Sequence, residues 1–145
     1  MVKNLHVYSE DKLIDKRAIH SLIAKLKSHF NLSISFLTIS IIDSRKLKEI
    51  NKKYLNHDYN TDVISFNYSK KNNELDGEIL ISFEEAKNNA KKYGVKYNQE
   101  LCRVIIHGLL HLLNFDDNNK KNKTIMKQME NKLINKYNFT LLAGK

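Results

Sequence analysis

The chain has no proline, a single cysteine and only three arginines among its 25 basic residues. It also lacks any apolar run near the roughly 20 residues that cross a bilayer. Each absence excludes something. One cysteine, Cys102, rules out an internal disulfide and suits a reducing compartment. The short apolar runs exclude a membrane-spanning helix. The start, Met-Val-Lys-Asn-Leu-His, has no apolar stretch of the secretory kind, so a cytoplasmic location is expected. There is no repeat or long linker, and 145 residues suit one domain, expected over 1–145. The scarcity of arginine bears on the formal charge of +9 and the pI near 9.5. Such a balance suits a polyanionic partner. Here it comes mostly from lysine, beside abundant Asn and Ile, and so reflects compositional bias as much as selection. Lys46, Lys48, Lys52 and Lys53 read as a solvated helix face, as do Lys120, Lys121 and Lys123.

What is present is more telling. The run His107-Gly-Leu-Leu-His111 is followed by Asp117. Residues four apart on a helix lie about 40° apart around the axis and roughly 6 Å along it. Both imidazoles therefore point the same way. Val104 to Leu113 is apolar except for His107, Gly108 and His111, the mark of a helix buried nearly all round. On the wheel, Glu100, Arg103, His111 and Asn114 all fall within about 40° of His107. This is one polar stripe on an apolar rod. Buried polar groups without partners are costly, so the stripe is expected to face a cleft.

For residue 117 to approach the imidazoles, the helix must end and reverse. Asn114 is the residue for that, since Asn follows Gly as the preferred left-handed helix terminator. Two imidazoles and a carboxylate suit one zinc ion and leave a position open for water. His107, His111 and Asp117 are the expected ligands, with Asp116 the alternative to Asp117. The single site implies one Zn2+ per chain. Bound water at such a site turns to hydroxide near neutral pH, which suits hydrolysis of a peptide or a phosphodiester. Zinc peptidases of this spacing place a Glu after the first His as general base. Here that position is Gly108, which argues against a peptidase. Gly108 also leaves the helix bare beside His107, where a backbone or a substrate could come close.

Elsewhere, residues 2–8, 33–42, 61–66 and 78–83 read as strands, with a Lys/Asn-rich loop over 69–77. Helices are expected over 15–30, capped by Asp15, and over 44–55, with Leu47, Ile50 and Tyr54 inward. Three more are expected over 84–93, 98–113 and 120–137, the last with Ile125, Met129, Leu133 and Ile134 inward. The fold class is α+β: a small mixed sheet of about four strands with about five helices, and the metal site on a central helix and the turn after it.

The motifs resemble those of the YbeY family. His-Gly-Leu-Leu-His-Leu-Leu-Asn-Phe-Asp-Asp at 107–117 is similar to its His-Gly-x-Leu-His-Leu-x-Gly-Tyr-Asp-His. Asn51-Lys-Lys-Tyr54, Asp58-Tyr-Asn-Thr61-Asp62-Val63-Ile64-Ser65-Phe66 and Gly77-Glu78-Ile79-Leu80-Ile81-Ser82 resemble its other motifs, in order. The resemblance implies a cytoplasmic, zinc-dependent endoribonuclease that cuts single-stranded RNA. It further implies roles in ribosomal RNA processing, at the 3′ end of 16S rRNA, and in ribosome quality control, with the small ribosomal subunit as partner. By position, His107, His111 and residue 117 are then the ligands. Three departures stand out. Asp117 replaces the usual His, Asn114 replaces Gly, and Leu55 replaces an Arg suited to a phosphate. Arg103, one turn before His107, could take over that phosphate, or could pair with Glu100 instead. Asp62 and Asp116 are candidate proton-transfer groups. The rival class is a ribosome-associated assembly factor whose zinc is structural.

Overall fold

The computed structural model describes residues 1–143. Strand β1 is Leu5–Ser9, followed by α1 (Lys16–Phe30), β2 (Ser33–Ile42) and α2 (Ser44–Leu55). Strands β3 (Val63–Asn67) and β4 (Glu74–Ser82) come next, then α3 (Phe83–Tyr93), α4 (Tyr97–Leu112) and α5 (Lys120–Lys136). Side-chain caps set most helix starts: Asp15, Asp43, Ser82 and Asn119 each accept a backbone N–H from the first turn. Left-handed residues set the ends of α1, α2 and α3: Asn31, Asn56 and Gly94. With few glycines in the chain, asparagine takes this role repeatedly.

The sheet order is β1-β2-β4-β3, parallel except for β3, which runs antiparallel to β4. Among the described residues this gives the expected mixed α+β fold of four strands and five helices. Alternation along β4 sorts its side chains to two faces. Ile79 and Ile81 join the main core with α1, α4 and α5, while Leu80 joins a smaller cluster with Ile42, Leu47 and Ile64 under α2. Helix α4 packs on α3, α5, β3 and β4, and so lies at the centre of the fold.

Three details differ from the sequence reading. Strand β4 begins at Glu74, inside the expected loop, because Glu74 and Leu75 pair with Ser33 and Ile34 of β2. Leu75 is fully buried there. Tyr54 is not inward; it is 61% exposed and meets Phe66 edge-on, with ring centroids 6.0 Å apart. On α5 the inward residues are Met126, Glu130, Leu133 and Ile134, and Ile125 is exposed. Leu133 and Ile134 are inward as expected and Met129 packs part-buried against the core, so the reading fails only at Ile125, while Glu130 turns inward to a polar partner on α4.

Candidate metal centre

The polar stripe of α4 reaches the open side of the molecule at its C-terminal end. There the helix terminates as its sequence requires. Asn114 takes φ 70°, the Phe115 N–H donates to the Leu110 carbonyl (3.0 Å), and the Asn114 N–H to the His111 carbonyl (3.0 Å). These two bonds make a Schellman end, which turns the chain back over the last helical turn. Asp117 is thereby brought to the imidazoles.

The three donor groups converge. The Nε2 atoms of His107 and His111 are 3.0 Å apart, and Asp117 Oδ2 and Oδ1 lie 3.8 and 3.9 Å from them. Four-coordinate zinc with bonds of about 2.0–2.1 Å holds its ligand atoms roughly 3.3 Å apart. The donor set and spacing thus fit one ion. Among the described residues this is the one group of three His, Cys, Asp or Glu side chains able to hold a metal. Asp116 points elsewhere: its Oδ1 accepts from Asn122 Nδ2 (2.6 Å) and the Asn118 N–H (3.3 Å) at the start of α5.

Behind the triad is a carboxylate that sequence reasoning missed. Glu130, 6% exposed, lies with Oε2 2.5 Å from His107 Nδ1. That bond sets the tautomer: the hydrogen sits on Nδ1 and the Nε2 lone pair faces the centre. Arg103 Nη1 donates to the other oxygen of Glu130 (2.9 Å), and its Nη2 donates to Asn131 Oδ1 (2.7 Å). The ion pair of Arg103 is therefore with Glu130 of α5, not with Glu100 on its own helix. The available signal was a lone Glu on the apolar face of α5.

The same contacts shape the titrations. Burial pushes the His107 pKa down, but the hydrogen bond and charge of Glu130, with the charges of Asp117 and Asp62, together outweigh it and leave the pKa raised. His111 has no such partner, and burial and the neighbouring His107 hold it below the usual histidine range. Burial also raises Asp62, which accepts from Asn89 Nδ2 (3.2 Å). Glu100, 4% exposed, is pushed up to about 7, again by burial.

Two clefts meet at the triad. The larger, about 510 Å3, has His107, His111, Asp117 and Asp62 on its floor and Leu55, His57 and Tyr59 on its rim. The smaller, about 410 Å3, adjoins it at Asp62, His107 and Asp117 and includes Glu100, Arg103, Lys123 and Lys127. Gly108 does not face either. A Cβ there would lie 2.7 Å from Ile79 Cγ2, and the Gly108 carbonyl accepts from Ser65 Oγ (3.0 Å). The close approach expected at Gly108 is that of the sheet, and a glutamate there would force the helix or Ile79 to shift.

The sequence profile described as Endoribonuclease YbeY matches residues 4–138. The Endoribonuclease YbeY of Parabacteroides distasonis is 33% identical over 130 residues, covering 88% of this chain and 91% of that protein. The one from Bacteroides fragilis is 36% identical over 121 residues, covering 83% and 86%. A solution structure from Thermotoga maritima superposes with a TM-score of 0.62 over 92% of this chain and 91% of that one; at 22% identity it speaks for the fold alone. Fold, ordered motifs and relatives agree, and the chain belongs to the Endoribonuclease YbeY family.

Proposed function

We propose that this chain is a metal-dependent endoribonuclease specific for single strands, acting in ribosomal RNA processing at the 3′ end of 16S rRNA and in ribosome quality control. The reading places it in the cytoplasm, in contact with the small ribosomal subunit, with one zinc ion on His107, His111 and Asp117. The observation that carries it is the convergence of these three donors at the floor of an open cleft. Structural zinc is usually closed off by four protein ligands, whereas three ligands beside a cleft leave room for water and substrate. This favours catalysis over a purely structural metal in an assembly factor.

A zinc ion held there would supply a Lewis acid for a phosphodiester oxygen and lower the pKa of water at the open position. The chain does the rest. Glu130 fixes the His107 ring and keeps its Nε2 turned to the centre. Asp117 contributes negative charge, so this ligand set polarises less strongly than three neutral imidazoles would. Asp62 lies where the two clefts meet, and burial raises its pKa, so it can take and return a proton beside the reacting phosphate. Asp116 is engaged by Asn122 and Asn118 and is assigned to the turn. Arg103 sits in the smaller cleft with Lys123 and Lys127, and its remaining N–H groups are assigned to an RNA phosphate.

The test is cleavage of a single-stranded RNA by zinc-loaded protein. His111→Ala should abolish cleavage and lower zinc affinity without loss of the fold. Clean, zinc-loaded parent protein that cuts no RNA would return the chain to the assembly-factor class. No helix among the described residues is long and apolar enough to cross a membrane.

A further inference from the structure

The geometry points to a base-stacking platform formed by His57 and Tyr59 on the rim of the larger cleft, holding an unpaired nucleobase next to the phosphodiester at the metal centre. The inference rests on the ribonuclease reading and names how that site takes hold of its substrate. Despite the charge of +9, no lysine or arginine is among the described residues that line this cleft. No basic side chain of this cleft pairs with a phosphate. Away from the metal centre and Arg103 of the adjoining cleft, the grip on a nucleotide falls to its base and sugar.

The two rings are ready for that. They stack with centroids 5.1 Å apart and planes 18° from parallel, and the Tyr59 hydroxyl lies 3.0 Å from His57 Nδ1. Tyr59 is 54% exposed, so a base can extend the stack. The backbone beneath is pinned from both sides by one residue. Asn51, 2% exposed, accepts the His57 N–H at its carbonyl (3.2 Å) and donates from Nδ2 to the Tyr59 carbonyl (3.1 Å). Asn56, at φ 57°, turns the chain between α2 and this segment. The backbone that carries both rings is therefore held before the ligand arrives, which removes part of the entropic cost of binding. Aromatic rings hold bases of any identity, and only an unpaired base can leave its own stack to join them. Single-strand preference follows from the platform, with purines held more tightly than pyrimidines.

The experiment uses metal-loaded full-length protein and short single-stranded RNAs carrying 2-aminopurine at each position in turn. The chain has no tryptophan to interfere. The expected result is quenching at one position beside the cleavage site, read before turnover. Tyr59→Ala should abolish that quenching and raise Kd and KM roughly 5- to 150-fold, the range measured for one lost base stack. The effect should fall on KM rather than kcat, with zinc content unchanged, and Tyr59→Phe should keep the quenching. Should Tyr59→Ala disturb the loop, Tyr59→Leu keeps the bulk without the ring and is expected to behave alike. Quenching and Kd within twofold of the parent in the folded Ala or Leu variant would overturn the platform. Quenching without any cleavage would sink the nuclease reading alone, and cleavage without position-specific quenching would sink the platform alone.

Discussion

Oε2 of Glu130 lies 2.5 Å from Nδ1 of His107, across the interface between α5 and α4. A helix that supplies none of the three converging donors thus orients the first of the two histidines. Carboxylates behind metal-bound histidines typically contribute 10- to 100-fold in affinity. Glu130→Gln keeps an acceptor but loses the charge, and it should weaken zinc binding by roughly that factor while the helices stay intact. Chelator competition measures it. An unchanged zinc Kd would remove Glu130 from the site and leave it a packing residue.

Arg103 is bound to Glu130 at one end and to Asn131 at the other, yet it also lines the smaller cleft. Its two roles separate by salt. A phosphate contact contributes about one unit to the slope of log K against log salt on a duplex and roughly 0.7 on a single strand. Arg103→Ala should reduce the RNA-binding slope by about that amount and also weaken zinc binding, through Glu130, by less than Glu130→Gln does. An unaltered slope would leave Arg103 as a brace for Glu130 only.

Gly108 reports on why this site has no base beside the first histidine. Alanine is favoured over glycine within a helix by about 1 kcal/mol. Its Cβ would nevertheless stand 2.7 Å from Ile79 Cγ2, and Ile79 is fully buried on β4 with a stiff, β-branched χ1. Overpacking of this kind costs about 1–3 kcal/mol. Gly108→Ala is therefore expected to lower stability in chemical denaturation despite its better helix propensity, and Gly108→Glu to lower it further. A gain in stability for Gly108→Ala would show that α4 can lift off the sheet.

What could be read from the sequence follows the range of the interactions involved. The caps at Asp15 and the terminator at Asn114 are local, and both are where the sequence places them. The two histidines and Asp117 are joined by one helix and one turn, so their convergence could be worked out from spacing. The start of β4 could not, because Leu75 is in the strand by virtue of pairing with Ile34, some forty residues away. Glu130 was hidden for a related reason. Charge on a helix ordinarily marks the solvated face, so periodicity alone turned α5 toward Ile125 and away from Glu130. Only the partner on α4 reveals that this charge is buried.

Glu100 gives the site a pH signature distinct from that of its two histidines. It is 4% exposed, and burial pushes its pKa up to about 7, with Asp62 and Glu130 adding to the rise and Arg103 and His107 opposing it. The unfolded chain has an ordinary carboxyl near 4.5. Between those values the folded state holds a proton that the unfolded state has released. Stability contributed at this position is therefore present below about pH 4.5, falls as pH rises towards 7, and levels off above it. The slope can approach about 1.4 kcal/mol per pH unit within that window. Glu100→Gln removes the titration and keeps the shape. In urea unfolding of metal-stripped protein, the variant should gain on the parent from about pH 5 towards 7, the gain levelling off above that. Parallel stability curves for the two across that range would mean that Glu100 ionises as freely in the folded chain as in the unfolded one.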